Sequence, residues 1–295
     1  MLLIEKGMEK ETSTKSSVDR LISTIGDLPA SPATVSAVMG LTSNLDAKVA
    51  DVSRLLSSDQ SLTARVLKLS NSSYYGRSKE VTTLREAIMV LGFFTVRSMV
   101  IASSAHTMFQ KGQADQISKA LWEHSFSTAV AARQIAAHIK HPNKDEIFIA
   151  ALMHDIGKLV LLQKFPDAYA QLIEQAIDEQ IRIYDIEARE YSFTHCDVAS
   201  LLLEKWSFPD NLCAAIQMHH DPPPISEDQV APPSQVILLA NYMAKGLGIG
   251  FADWRPDNFA DTEAARALGL DESTIDNLMT SIENHYQAEI KIFEE

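Results

Sequence analysis

EIFIAALMHDIGKLVLLQKF, residues 146–165, decides how the chain is read. It is apolar on every side of a helical wheel, which predicts a central, buried helix rather than a surface one. Within it sit His154 and Asp155, side by side. Burying polar groups without partners costs roughly 2–7 kcal/mol each, so hydrogen bonds or a metal must satisfy this pair. Gly157, two residues on, reads as a C-terminal stop that places the pair at a helix end. Neighbours on a helix diverge by about 100°, and only such an end lets both side chains approach one point. Asp155 alone could instead cap a helix or pair with Lys158.

Outward from this segment the periodicity is helical nearly everywhere. SPATVSAVMGL opens with Ser31 as cap and Pro32 at the first helical position. AKVADVSRLL carries Val49, Val52, Leu55 and Leu56 at helical spacing, and SLTARVLKLSN places Leu62, Val66 and Leu69 on one face. TLREAIMVLG and FFTVRSMVIASSAHTMF read as two apolar helices broken near Gly92. LWEHSFSTAVAARQIAAHI, AYAQLIEQAI, the run from His195 to Trp206, PDNLCAAIQMHH, SQVILLANYMAKGLG and residues 272–292 complete the helices. Pro222, Pro223 and Pro224 stop the helix that ends in His219 and His220. No alternating apolar and polar run demands a strand. The expectation is an all-α, two-part fold. A polar tail covers residues 1–16, an N-terminal helical subdomain 17–115, and a second helical half 116–295, with the boundary in QKGQADQIS. Met89, Met99 and Met153 read as gap-filling core, and Trp206 as packing between helices.

Composition sets the outer limits. The 295 residues are 46% hydrophobic, enough for a sizeable core. The net charge of −13 disfavours nucleic acid as a partner, because a polyphosphate is repelled at long range. The only cysteines, Cys196 and Cys213, form no CxxC and suggest no disulfide framework. No window approaches the ~18 consecutive apolar residues of a membrane span, and the N-terminal apolar stretch is short for a secretory signal. These features predict a cytoplasmic protein without a membrane partner.

The metal-capable polar residues of the second half are His124, His154, Asp155, His195, His219, His220 and Asn241. A single histidine on an apolar helix is ordinarily a hydrogen-bonded core residue. Five on the helices of one half, beside an acid, point to convergence. Thr194 and Asp197 bracket His195 as a capping box, and a helix N-terminus favours the neutral, metal-binding imidazole. His106, His138, His141 and His285 read as surface or satisfied residues. Imidazoles with a carboxylate suit iron, manganese, nickel or zinc, as one or two ions, with Asp155 the candidate bridge.

The order H…HD…H…HH resembles the HD superfamily of metal-dependent phosphohydrolases. By that resemblance His124 in LWEHS is the first histidine and HDIGK supplies the signature pair with Lys158 as a phosphate-facing lysine. His195 is then the mid-chain histidine and His219–His220 the late pair. Asn241 stands where the superfamily places a late aspartate; an amide oxygen is neutral and a poorer ligand. No GYP segment follows HHDPPPISEDQ, which separates the chain from HD-GYP phosphodiesterases. LSSDQSLTARVLKLSNSSYYG, TLREAIMVLGFFTVRSMV and THCDVASLLLEKWSFPDNLCAAIQMHH are similar to the HDOD family of bacterial signalling output domains over about residues 20–290. That resemblance implies an N-terminal helical subdomain packed on an HD-like half. It further implies a regulatory or interaction module, here with a transition-metal site; that module reading, resting on Asn241 and the large apolar N-terminal half, expects a signalling-protein partner and a contact surface around NSSYYGRSKE. The alternative is a metal-dependent phosphohydrolase acting on a nucleotide or other phosphorylated small molecule, with Asp155 and Lys158 as its catalytic residues.

Overall fold

Every regular element among the described residues is helical. The computed structural model describes residues 32–42, 49–57, 59–71, 80–111, 116–225, 230–250 and 253–293. The N-terminal tail, the Ser31 cap and residues 72–79, with Tyr74, Tyr75, Gly76 and Arg77, lie outside that set.

Helices α1 (Ala33–Thr42), α2 (Val49–Ser57) and α3 (Gln60–Ser70) pack on the long α4 (Leu84–Lys111). Their contact faces follow from spacing: Val52 and Leu56 of α2, and Leu62, Val66 and Leu69 of α3, are buried one turn apart. Asp59 caps α3 by accepting from the Leu62 N–H at 2.9 Å. The break expected near Gly92 is present: its φ of +78° and ψ of 161° kink α4 in a conformation that costs a side-chain-bearing residue dearly. Over Leu84–Gln110 this helix is long and apolar enough to cross a membrane, but most of it is buried in the protein. Met99 and Met153 fill the core as expected; Met89 does not, being 63% exposed beside the kink.

Helix α5 (Gln116–His138) runs through the middle, against α4, α6 (Lys144–Met153) and α12 (Pro233–Gly246). Ala129, Ala131, Ala132 and Ala136 are fully buried along it, and their small side chains let neighbours approach closely. The segment 146–165 is central and buried, yet it is two helices rather than one. Helix α6 ends at Met153, the chain turns through His154 and Asp155, and α7 (Ile156–Lys164) begins at once. Gly157 is therefore no stop. It lies in the first turn of α7, where a Cβ would fall 2.0 Å from the backbone oxygen of His195. The glycine exists for that close approach.

The chain continues through α8 (Pro166–Asp178), α9 (Ile183–Tyr191), α10 (His195–Lys205), α11 (Asp210–Gln217), α12, the short α13 (Glu263–Ala267) and α14 (Glu272–Glu289). Helices α9 and α13 were not anticipated from the pattern. A 3-10 turn, Ile290–Ile292, carries the chain back to the N-terminal helices, where Lys68 donates to the Lys291 carbonyl at 2.8 Å.

Candidate metal centre

One carboxylate organises the interior. Asp155 lies at the α6–α7 turn, and four imidazole Nε2 atoms and one ammonium face it. Around Oδ2 stand Lys158 Nζ at 2.7 Å, His154 Nε2 at 3.2 Å and His124 Nε2, from α5, at 3.5 Å. Around Oδ1 stand His195 Nε2, from the start of α10, at 3.2 Å and His219 Nε2, just past α11, at 3.9 Å. His220 Nε2 is 3.2 Å from His195 Nε2. The two late histidines follow the end of α11 rather than belonging to it, because that helix closes at Gln217. His124, His154, Asp155, His195 and His219 are 0% exposed and His220 is 5% exposed. Asn241 is buried on α12, which packs against both α5 and α6, and neither of its amide atoms has a partner.

The rings are held so that bare lone pairs point inward. His154 Nδ1 donates to the Ala151 carbonyl at 2.6 Å, and His219 Nδ1 to the Ile216 carbonyl at 2.7 Å. His195 Nδ1 donates to Glu187 at 2.6 Å. A ring that donates through Nδ1 offers Nε2 as an acceptor. Yet His154 Nε2, His219 Nε2, Asp155 Oδ1 and both nitrogens of His124 lack hydrogen-bond partners. Buried acceptors facing one another without a proton or cation between them are costly. An ion bound at about 2.0–2.2 Å by such ligands sets neighbouring ligand atoms roughly 3.0–3.5 Å apart. The separations of 3.2 and 3.5 Å meet that spacing, and the 3.9 Å of His219 is slightly wide. The residues present thus fit a transition metal bound through nitrogen and oxygen.

The electrostatics agree with the geometry. Burial pushes the imidazolium of His124, His219 and His220 well below its ordinary range, leaving neutral rings. Burial works against the Asp155 carboxylate, but His154 and Lys158 outweigh it and hold the group well below its usual range. Burial likewise opposes the Lys158 ammonium, and Asp155 more than compensates. His195 departs from expectation. Burial disfavours its charge, but Cys196 and Glu187 pull the other way and raise its pKa well above the ordinary value. Of those two neighbours Glu187 carries the charge, because burial pushes the Cys196 thiol up. The capping box is as read, with the Thr194 N–H donating to Asp197 at 2.7 Å. The helix terminus is outweighed by the adjacent carboxylate.

Glu187 is the residue the sequence reading missed. It lies on α9, is fully buried, and accepts from the His195 N–H at 2.8 Å, from His195 Nδ1 and from the Tyr169 hydroxyl. Nothing in EAREY distinguishes it from Glu190 except the fold. Lys158, expected to face a phosphate, is turned onto Asp155. Cys196 also lies among the late histidines, its Sγ 3.6 Å from His219 Nδ1. A cleft of about 420 Å³ reaches His220 and is rimmed by Asp221, Tyr242, Trp254 and Glu263. Buried Lys245 pairs with Asp253, which also accepts from the Ile183 N–H at 3.0 Å and so fixes the start of α9.

A family model for the HDOD domain matches residues 28–222. A solved HDOD domain protein of unknown function from Geobacter sulfurreducens superposes with a TM-score of 0.80 at 26% identity, over 97% of this chain and 99% of that one. A Shewanella amazonensis SB2B structure, provisionally named a phosphohydrolase, superposes with a TM-score of 0.70 at 23% identity, over 93% and 97% of the two chains. An uncharacterized protein of Treponema pallidum (strain Nichols) is 23% identical over 247 residues, covering 83% of this chain and 48% of the relative. The chain thus spans about half the length of that curated relative.

Proposed function

The chain belongs to the HDOD family, and from that premise we propose that it is a regulatory module of signal transduction whose buried histidine cluster holds a transition metal as a structural keystone. Iron, manganese, nickel and zinc suit the donor set. The observation that carries the reading is closure: Asp155 and four of the histidines around it have no solvent exposure. Structural metal sites are closed, whereas catalytic ones keep a position open for water or substrate.

The charges point the same way. Lys158 is committed to Asp155, so it is not free to steady a phosphate. The late position holds neutral Asn241 instead of a second carboxylate. Asp221 and Glu263 rim the approach beside His220, and a phosphoester anion would meet like charge there. When bound, an ion supplies positive charge that joins α5, the α6–α7 turn, the start of α10 and the segment after α11. Glu187, Ala151 and Ile216 orient the rings toward it. The module acts through a signalling-protein partner in this reading.

The cleft at His220 favours a second reading, a metal-dependent phosphohydrolase whose substrate enters from that side. Purification without added metal, elemental analysis, and a hydrolysis screen of nucleotides and simple phosphoesters with Mn²⁺ or Fe²⁺ separate the two. The keystone reading expects bound metal and no turnover. Robust metal-dependent phosphate release would overturn it in favour of the enzyme.

A further inference from the structure

Helix α4 carries an unpaired buried charge beside an exposed apolar face. Arg97 is 7% exposed, yet its Nε and Nη2 have no hydrogen-bond partner, and no carboxylate among the described residues pairs with it. Burial disfavours its charge, and Glu146 and Asp145, at the start of α6, offset that only in part and from a distance. A buried guanidinium left this way is costly. The group lies 5.1 Å from the centre of the Phe94 ring. Phe94 is 53% exposed, and Met89, on the other side of the Gly92 kink, is 63% exposed. Glu86, in the first turn of α4, is exposed as well and forms no ion pair among the described residues.

These residues are arranged symmetrically along the helix. By three- and four-residue spacing Glu86, Met89 and half-buried Val90 share a face before the kink, and half-buried Phe93, Phe94 and Arg97 share one after it. Met89 and Phe94 are equally far in sequence from the Leu91–Gly92 peptide bond; so are Val90 and Phe93, and so are Glu86 and Arg97. A two-fold axis at that bond, with two such helices antiparallel, sets apolar side chain on apolar side chain and acid on base. We propose that this face of α4 is a self-complementary docking surface for a second copy of the chain. Met89 and Val90 of each copy pack against Phe94 and Phe93 of the other, and Glu86 of each meets Arg97 of the other. Closed two-fold dimers use one patch twice in this way. The facing carboxylate supplies the charge that Arg97 lacks within its own chain, and the apolar pairs leave water together. A partner of different sequence would have to bring an acid and an apolar side chain at matching spacing; a second copy already has both. The surface uses no residue of the Asp155 cluster and stands apart from the metal reading.

Sedimentation velocity on the full chain tests the surface, run between about 1 and 200 µM because a single-helix face supports a weak dimer. A concentration-dependent equilibrium of monomer and dimer is expected. Met89→Lys and Phe94→Glu alter exposed side chains, so neither disturbs the core. Each should weaken self-association by at least about 10-fold, because a charge is set against an apolar side chain at both symmetric contacts. An equal mixture of the two variants should associate again, since one contact is then native and the other joins lysine to glutamate. Glu86→Arg sets cation against cation and should also weaken the dimer by at least about 10-fold. Circular dichroism checks that each variant folds. A chain that stays monomeric throughout, a dimer indifferent to these variants, or a mixture no better than either variant alone would overturn the proposal.

Discussion

Replacing Gly157 with alanine tests the architecture of the centre at one atom. An added Cβ would lie 2.0 Å from the His195 oxygen, 2.8 Å from its carbonyl carbon and 3.1 Å from the Ala199 nitrogen. Unstrained contacts between such atoms lie near 3.5 Å, so α7 and α10 must part by about 1.5 Å. All three obstacles are backbone, and no rotamer change relieves them. Overpacking a core costs about 1–3 kcal/mol, and a backbone clash of this depth belongs at the upper end. Alanine's smaller unfolded-state entropy returns only about 0.4–1 kcal/mol, so the clash wins by about 2 kcal/mol. At roughly 2–4 °C per kcal/mol for a chain of this size, the melting temperature should fall by about 4–8 °C. Because His195 shifts with its carbonyl, Zn²⁺ affinity should fall with it. Gly92→Ala is the control. Its φ, unlike that of Gly157, is unfavourable for alanine, at +78°, but nothing lies within 4 Å of its Cβ. With ψ at 161° that conformation is nearly confined to glycine, so the variant should cost about 1–3 kcal/mol and leave metal binding unchanged. Differential scanning calorimetry and Zn²⁺ titration read both effects. A Gly157→Ala protein that melts and binds metal like the unmutated chain would refute the claim that this glycine is there for helix approach.

Glu187→Gln removes the charge that orients His195 and should weaken Zn²⁺ binding by about 10–100-fold; an unchanged titration would show that α9 only packs. Lys245→Met leaves Asp253 buried without its ammonium and should cost about 3–5 kcal/mol in urea unfolding. The double variant Lys245→Met, Asp253→Leu should recover much of that loss, and a single variant as stable as the parent would contradict the pairing. For pH, burial lowers His106 to about 4, with the nearby Arg65 charge adding to the effect. Its folded-state value lies below the ordinary value of about 6.5, so the unfolded chain takes up the proton first. Stability from His106 is therefore full above pH ~6.5 and is lost as pH falls toward about 4. His124, His219 and His220 shift in the same direction and add to the loss. His195 has the opposite sign, its contribution fading as pH rises through its raised value. The urea midpoint of the metal-free protein should drop between pH 7 and pH 5, and less so in His106→Phe. A midpoint that holds or rises on acidification would contradict the assignment.

What the sequence made legible was whatever depends on a residue's own burial and its near neighbours. Leu62, Val66 and Leu69 declare the inner face of α3, Gly92 declares a break, and Thr194 with Asp197 declares a helix start. His124, His154 and His195 stand out because a polar ring in an apolar stretch needs a partner. Tertiary partners were not legible. A uniformly apolar run carries no mark of the turn at His154, so α6 and α7 read as one helix. Gly157 looked like a local stop because its real reason, the His195 backbone, lies on α10. Glu187 is an acid in a short polar helix until the fold shows Tyr169 and His195 on it.

Lys158 shows the limit most sharply. Its spacing from Asp155 allows either a pair along one helix turn or a lysine that faces a bound phosphate, and both readings use the same residue three positions on. Solvation decides between them. A lysine near the surface keeps its ammonium in water and reaches outward, whereas Lys158 is 1% exposed and has lost that option. With water excluded, carboxylates must offset its charge, and the nearest of them, Asp155, contributes most, with Asp253 and Glu187 adding to it, so the pair forms. The same exclusion that makes the interior suitable for a metal thus removes the free cation that phosphate chemistry would have used. On the keystone reading proposed above, a closed centre and a phosphate-binding lysine are alternatives, and the burial of Asp155 favours the first.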